Sequence, residues 1–406
     1  MKFIHTSDLH IGKRVNGMSM LQDQRHILEQ ILSIVQCERA DALVIAGDIY
    51  DRASPSAEAV AMLDVFLTKL VGMGVRVLAV PGNHDSAERV AYVQGLLEHQ
   101  GVHFPPVYEG ELDKVVLEDE FGEVAFWLLP YLKPGDVRRF FPDADIGDDY
   151  SAALRAVLGA CEVDRDVRNV IIAHQLVTAG SNAPERADEE IRLGGIDNVD
   201  VSVFDAFDYV ALGHVHRPQR VGRDTVRYSG SPLKYSFSET RYDKSVVVVE
   251  LGAKGLRDGL SEGDACVAFK LVALEPLHDM REARTSLAEL LEQGRAQGPE
   301  TRDYLHVVLT DELPQLDDMS RIRELFPNTM MLDYEGSALA AVSQVRTRQA
   351  VDPEQADMEE LFAAFYEEQV GKAMDAEQRD MLARIVHQVE EDVARGENAD
   401  AAERGG

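Results

Sequence analysis

Five short apolar runs, each followed by residues that bind metal, constrain the fold of this chain more than any other feature. The runs are Lys2–His5, Ala42–Ala46, Val75–Val80, Val170–Ala173 and Tyr209–Leu212. They are short and rich in β-branched residues, the pattern of strands buried on both faces. After the first comes Ser7-Asp8-Leu9-His10, and after the second Gly47-Asp48-Ile49-Tyr50-Asp51. The third is followed by Gly82-Asn83-His84-Asp85, the fourth by His174-Gln175 and the fifth by Gly213-His214-Val215-His216. Ligand-type residues at strand C-termini are how a layered α/β fold builds one site at a sheet edge. Helical patterns separate the strands. Ile27, Leu28, Ile31, Leu32 and Val35 share one stripe, as do Val60, Leu63, Leu67, Leu70 and Val71. Ser54-Pro55 reads as an N-cap followed by proline at the first helical position. Glu120-Phe121-Gly122-Glu123, between Val115–Leu117 and Val124–Leu128, reads as a hairpin. The alternation predicts an α/β layered core.

The residue types suit a binuclear site. Asp8 and His10 are an i, i+2 pair that faces one side of an extended segment, and His214 and His216 repeat it. Asp48 can bridge two cations, one on each oxygen. Asn83 offers an amide oxygen without charge. The glycines before Asp48, Asn83 and His214 are expected to let the backbone turn tightly. Carboxylate, amide and imidazole donors without thiolate favour Mn²⁺, Fe²⁺ or Zn²⁺ over Ca²⁺.

Composition bounds the rest. The 406 residues carry 41 Lys and Arg against 72 Asp and Glu, a net charge of −31. That balance argues at first against a nucleic-acid partner. The distribution matters more. Residues 1–250 carry −14, residues 251–350 carry −6 and residues 351–406 carry −11. Within 217–241 the sign reverses to +4, and Arg217, Arg220, Arg223 and Lys234 there are candidates to track a phosphate backbone. Three dispersed cysteines form no disulfide framework. No apolar run reaches the roughly 20 residues that span a bilayer, and no signal-peptide core opens the chain, so a cytoplasmic, membrane-free protein is expected. Organisation is read as a first domain over 1–264 and a small α/β domain over 265–336. A linker over 337–352, paired amphipathic helices over 353–395 and a disordered tail over 396–406 follow. Val267–Leu274 is read as a strand of the second domain and Arg281–Gln293 as its helix.

The motifs DxH, GDxxD, GNHD, a lone His and GHxH resemble those of the calcineurin-like metallophosphoesterases. HTSDLHIGK, AGDIYDR, PGNHDS, YVALGHVHRPQ and RYSGSPLKYSFSE narrow the resemblance to the SbcD nuclease family. It implies a layered β-sandwich flanked by helices, a small α/β cap and C-terminal helices. It implies two Mn²⁺ ions, with Mg²⁺, Fe²⁺ or Zn²⁺ as possible substitutes. Asp8, His10, Asp48 and His216 would hold one ion; Asp48, Asn83, His174 and His214 the other. A hydroxide between the cations would attack phosphorus. His84 would stabilise the developing charge or protonate the leaving oxygen, with Asp85 holding its tautomer or capping a helix over 86–98. Asp51 stands where some relatives carry His and could orient a ligand or help close the site. The resemblance further implies 3′→5′ exonuclease action on duplex DNA, endonuclease action on single strands and hairpins, and a homodimer within a heterotetramer. The chain has no GxxxxGK[ST], so ATP control would come from SbcC, the SMC-like ATPase partner. Leu361, Phe362, Phe365, Leu382, Ile385, Val386 and Val389 would dock on it. Two rivals stand beside this reading: another phosphodiesterase or phosphatase of the superfamily, and a metal-free scaffold.

Overall fold

The computed structural model describes residues 1–92, 94–180, 183–185, 197–254, 265–297, 302–311, 317–335, 378, 379 and 382. They gather into two units. The larger comprises the described parts of Met1–Ala283, Gly294–Val307 and Ile322–Met331; the smaller comprises those of Arg284–Gln293, Val308–Arg321 and Leu332–Gly406.

Two six-stranded sheets build the larger unit. The first runs Ala265–Ala273, Ser245–Lys254, Lys2–Thr6, Ala42–Ala46, Arg76–Val80, Val102–His103. Its last four strands are parallel and its first three antiparallel. The second runs Gln219–Val221, Arg223–Tyr228, Tyr209–Gly213, Arg168–His174, Gly122–Leu129, Asp113–Asp119. Its four inner strands are parallel, with an antiparallel strand at each edge. Because side chains alternate along a strand, each strand feeds two cores. Phe3, Val44, Ala46 and Leu78 of the first sheet pack on Phe126, Leu128, Ile172 and Tyr209 of the second. Phe3 meets both Phe126 and Tyr209 edge-on at 5.6 Å between ring centroids. The alternate residues Ile4, Leu43, Ile45 and Val77 instead pack beneath the helices Leu21–Glu38 and Ala57–Gly72. On the outer face of the second sheet, Ile171, Val210 and Leu212 pack with Leu154 and Val157 of the helix Tyr150–Gly159. The layers are thus helix, sheet, sheet, helix, and the parallel strands point their C-terminal ends the same way. Arg168, buried at the start of its strand, donates to Asp119 Oδ2 at 3.0 Å and to Leu251 O at 3.3 Å. It thereby joins the hairpin of one sheet to the long strand of the other.

Met280–Thr285, Tyr304–Leu309 and Thr329–Tyr334 form a three-stranded sheet. Within the smaller unit, Thr310 N–H donates to Thr285 O at 3.1 Å and Glu335 N–H to Leu309 O at 2.7 Å. Tyr334 OH donates to Asp318 Oδ2 at 2.9 Å.

Several local expectations shift. The stretch read as Val267–Leu274 is the edge strand of the first sheet, paired with Ser245–Lys254. Arg281 lies in a strand rather than a helix, since exposure alternates with period two over Met280–Thr285. The helix follows at Leu287–Gln297. The second helix is capped by Ser56, whose Oγ accepts from Ala59 N–H at 3.3 Å, and not by Ser54. Its buried face is Ala59, Met62, Leu63, Phe66 and Leu70, leaving Val60 exposed. The stretch 86–98 holds two short helices, Ala87–Val90 and Gln94–Glu98. The linker over 337–352, the helices over 353–395 and the tail over 396–406 lie outside the described residues, apart from positions 378, 379 and 382. So do Leu361, Phe362, Phe365, Ile385, Val386 and Val389; Leu382 is buried. No helix among the described residues is long and apolar enough to cross a membrane.

One polar pair crosses the sandwich. His5 is fully buried, with Nδ1 3.1 Å from Tyr209 OH and Nε2 3.2 Å from Leu212 O. Burial pushes its imidazole from 6.5 down to about 3. Below pH 6.5 the unfolded chain takes up a proton that the native state refuses. Stability therefore falls as pH drops from about 6.5 toward 3, by up to about 1.4 kcal/mol per pH unit from this group. Denaturant unfolding of His5→Gln, which keeps a hydrogen-bonding amide, is expected to lose that increment of slope between pH 6 and pH 4. Parallel curves for the two proteins would contradict a neutral buried His5.

Candidate metal centre

Loops from both sheets meet at their common C-terminal edge. Asp8 and His10 follow Lys2–Thr6, Asp48 follows Ala42–Ala46, and Asn83 follows Arg76–Val80. From the second sheet, His174 ends Arg168–His174, and His214 and His216 follow Tyr209–Gly213. Asp8 N–H donates to Gly47 O at 3.0 Å, and His10 N–H to Asp48 O at 2.9 Å, which locks the first two loops together. Four of the candidate ligands, Asp8, His10, Asp48 and His214, have positive φ: 52°, 44°, 50° and 100°. Non-glycine residues avoid that region, and outliers of this kind concentrate at functional sites.

The glycines act differently from one another. Gly47 has a φ of 86°, so it does turn where glycine is favoured. Gly82 and Gly213 do not; their role is clearance. A Cβ on Gly82 would lie 2.1 Å from Asp48 Oδ1, and one on Gly213 would lie 1.8 Å from Ala46 O. The strands approach so closely there that no side chain fits.

All seven expected ligands converge. The Oδ2 atom of Asp48 is 3.2 Å from His174 Nε2 and 3.6 Å from His10 Nε2. The Oδ1 atom of Asn83 is 3.1 Å from His174 Nε2 and 3.0 Å from His214 Nδ1. His10 Nε2 and His216 Nε2 face each other at 3.3 Å. Three triads bring their ligand atoms within 4.8 Å: Asp8, His10 and His216; His10, Asp48 and His84; Asp8, Asp48 and His174. Asp8, His10, Asp48 and His174 are all at most 2% exposed. Burial of two neighbouring carboxylates is costly without compensating positive charge. Burial drives the Asp8 carboxyl up, against His174 and His216, which pull it down. Burial also works against the charge on Asp48, but His174 and His10 hold its carboxyl well below the usual carboxylate range. His174 in turn resists burial, and Asp48 and Asp8 raise it to about 9. Its Nδ1 donates to Ala46 O at 2.8 Å, which turns Nε2 toward Asp48 and Asn83. His10 Nδ1 is buried without a hydrogen-bond partner among the described residues. Oxygen and imidazole donors in two clusters joined by Asp48 fit a pair of hard or borderline divalent cations.

The neighbours expected to assist sit as follows. His84 N–H donates to Asp48 Oδ1 at 2.9 Å, and its Nδ1 donates to Asp51 O at 3.0 Å. Its ring lies edge-on to His10, 4.9 Å between centroids. Asp51 Oδ1 accepts from Lys13 Nζ at 3.0 Å and lies 3.7 Å from His10 Nδ1. Asp85 neither holds the His84 tautomer nor caps the next helix. It accepts the backbone N–H groups of Ile49, Tyr50 and Gly82 at 3.0, 2.9 and 2.9 Å, tying the second loop to the third. Ser86 is the cap instead. Burial, reinforced by Asp48, lifts the Asp85 carboxyl to about 6 despite those three donors.

The basic stretch is largely engaged. Arg217 pairs with Glu185, and Arg220 Nη1 with Asp224 Oδ1 at 2.7 Å. Arg223 Nη2 donates to the carbonyls of Phe204 and Phe207 at 3.0 and 2.6 Å. Lys234 Nζ donates to Asp279 Oδ1 at 2.8 Å. A run of charges in sequence does not reveal which of them structure consumes.

Sequence reasoning missed several contributors. Tyr131 follows the Gly122–Leu129 strand, whose end joins the same edge. Its ring stacks on His214, 6.4 Å between centroids and 21° between planes. Ser7 Oγ links Asp8 to Ser229 Oγ at 2.7 Å. Gln24 Nε2 donates to His10 O at 2.7 Å and to Tyr235 OH at 3.2 Å. Glu239 meets His216 Nδ1 at 3.1 Å. Ser229, Tyr235 and Glu239 lie within the RYSGSPLKYSFSE motif, the one signal that pointed to them.

Known families and proteins are similar to this chain. The calcineurin-like phosphoesterase family matches residues 1–218, and the type 5 capsule protein repressor C-terminal domain matches residues 276–370. The SbcD subunit of the nuclease SbcCD from Staphylococcus epidermidis is 30% identical over 335 residues, 82% of this chain and 85% of that protein. Its counterpart in Staphylococcus saprophyticus subsp. saprophyticus is 29% identical over 335 residues, 82% and 84% of the two chains. The crystal structure of a dimetal phosphatase from Danio rerio is 14% identical, with a TM-score of 0.36, over 61% of this chain and 94% of that one.

The close approach at Gly213 can be tested directly. Gly213→Ala drives a methyl into Ala46 O and to 2.8 Å from His174 Nδ1, so a loss of about 3 kcal/mol or more is expected on unfolding. Gly72→Ala, whose new methyl meets nothing within 4 Å, is expected to stay within about 1 kcal/mol of the parent. Equal stability of the two variants would refute the clearance argument.

Proposed function

The chain belongs to the calcineurin-like phosphoesterases, within the SbcD nuclease family, and we propose that it is the Mn²⁺-dependent DNA nuclease component of a complex with an SbcC-type SMC-like ATPase. Metal-dependent phosphodiester hydrolysis is the activity of that family's fold. The finer reading is 3′→5′ exonuclease action on duplex DNA, with endonuclease action on single strands and hairpins, in the cytoplasm. The observation that carries it is the convergence of carboxylate, amide and imidazole donors on one shared carboxylate, Asp48.

In this reading Asp8, His10, Asp48 and His216 hold one cation, and Asp48, Asn83, His174 and His214 hold the other. When bound, the pair lowers the pKa of water and offsets charge on the phosphate oxygens. Protein groups do the rest. Ser7 and the His214 N–H brace Asp8, the latter at 3.1 and 3.2 Å. Ala46 O sets the His174 tautomer. His84, with Nδ1–H given to Asp51 O, has Nε2 left to exchange a proton with the leaving oxygen. Asp51 supports both His84, through its carbonyl, and His10, through its carboxylate. Asp85 keeps the two ligand loops in register.

DNA affinity of the isolated chain follows from the same geometry. A phosphate reaching Arg217 or Arg220 must displace Glu185 or Asp224. Arg223 and Lys234 are held by carbonyls and by Asp279. Binding therefore leans on the cations and on the ATPase partner. The paired helices over 353–395 are the proposed dock for that partner, the nuclease domain is proposed to take in the edge strand Ala265–Ala273 rather than to end at 264, and a homodimer is the proposed assembly.

Asp48→Ala is expected to abolish both Mn²⁺ sites in calorimetry along with nuclease activity on end-labelled duplex and hairpin DNA. Two intact sites in that variant would remove the bridge. His84→Ala is expected to keep both sites and to lose about 10²–10⁴ in turnover, the usual size of a general-acid contribution. Normal turnover there would remove the proton-transfer role.

A further inference from the structure

Behind His216 lies a buried ion pair that the hydrolytic reading does not use. Glu239 is 0% exposed and Lys244 is 4% exposed. One carboxylate oxygen of Glu239, Oε1, lies 3.1 Å from His216 Nδ1, and the other accepts from Lys244 Nζ. Lys244 Nζ also donates to His216 O at 2.8 Å and to Ser231 Oγ at 2.7 Å. Ser231 N–H donates to the same His216 carbonyl at 3.2 Å. Ring and backbone of one histidine are thus gripped together. Two charges removed from water are costly and need a return in geometry.

An ionised carboxylate only accepts, so Nδ1 of His216 carries the proton. In the neutral ring Nε2 is then a lone pair, and it faces His10 Nε2 at 3.3 Å, inside the triad with Asp8. His174, by contrast, is oriented by the neutral Ala46 carbonyl. We propose that Glu239, neutralised and held by Lys244, is a positioning residue for His216: it fixes the ring and its tautomer, and strengthens the donor that Asp8 and His10 share a cation with. This rests on the metal-site reading above. A carboxylate behind a ligand histidine raises its basicity, and losing such a partner typically weakens metal binding about 10–100-fold.

The test uses the full chain labelled with ¹⁵N-histidine. In metal-free protein the His216 ring is expected as the Nδ1–H tautomer, and Glu239→Ala is expected to abolish that signature. Mn²⁺ calorimetry on Glu239→Ala is expected to show one site weakened about 10–100-fold, the other within about threefold. Glu239→Gln keeps an acceptor and is expected to restore the tautomer and most of the affinity. Should Glu239→Ala fail to fold, the paired change Glu239→Leu with Lys244→Met removes both charges at once. It is expected to fold, yet to lose the tautomer and weaken the same site. Two Mn²⁺ sites of parental affinity in Glu239→Ala, or in the paired variant where the alanine one does not fold, or an unchanged tautomer there, overturn the positioning role alone. A parent chain that takes up no Mn²⁺ overturns the metal reading and this role with it.

Discussion

Two buried carboxylates, Asp8 and Asp48, set the terms for everything around them. Neither can stay charged in that setting without help. The help comes from His174, His10, Ser7 and the backbone N–H groups of His214 and His84. Those partners sit on four separate segments, and with the loop that carries Asp48 five must arrive at one edge together. The doubled sheet, with its parallel strands ending on the same side, accomplishes this. The left-handed backbone at Asp8, His10, Asp48 and His214, and the glycines that allow strand-to-strand contact, are local costs that the surrounding packing offsets.

Much of this was legible in the chain itself. The candidate ligands were readable as a set because each directly follows a β-branched run, and strand identity survives in such runs. The layered fold was readable for the same reason. The shift of the second helix's buried face escaped because Val60 and Met62 are both apolar, and only packing decides which is inside. Arg281 escaped because alternating charge reads equally as an exposed helix face or as a strand.

The supporting residues were less legible, and for a physical reason. Asp85 sits beside a catalytic candidate in sequence, yet its oxygens bind backbone groups of its own loop and of another. Its neighbourhood is a product of tertiary structure. The same holds for the basic stretch: Arg223 ends on two carbonyls, a use that no charge count anticipates. Side chains whose partners lie far along the chain reveal their roles only once the chain is folded.

Each proposed cation draws donors from both halves of the sandwich. Asp8, His10, Asp48 and Asn83 come from the first sheet; His174, His214 and His216 from the second. The ions would then act as rivets across the edge of a two-walled structure. Any ligand that stabilises only the folded state adds to stability by mass action. In such a molecule metal supply would set mechanical integrity as well as chemical rate, and starving the site would loosen the seam between the walls.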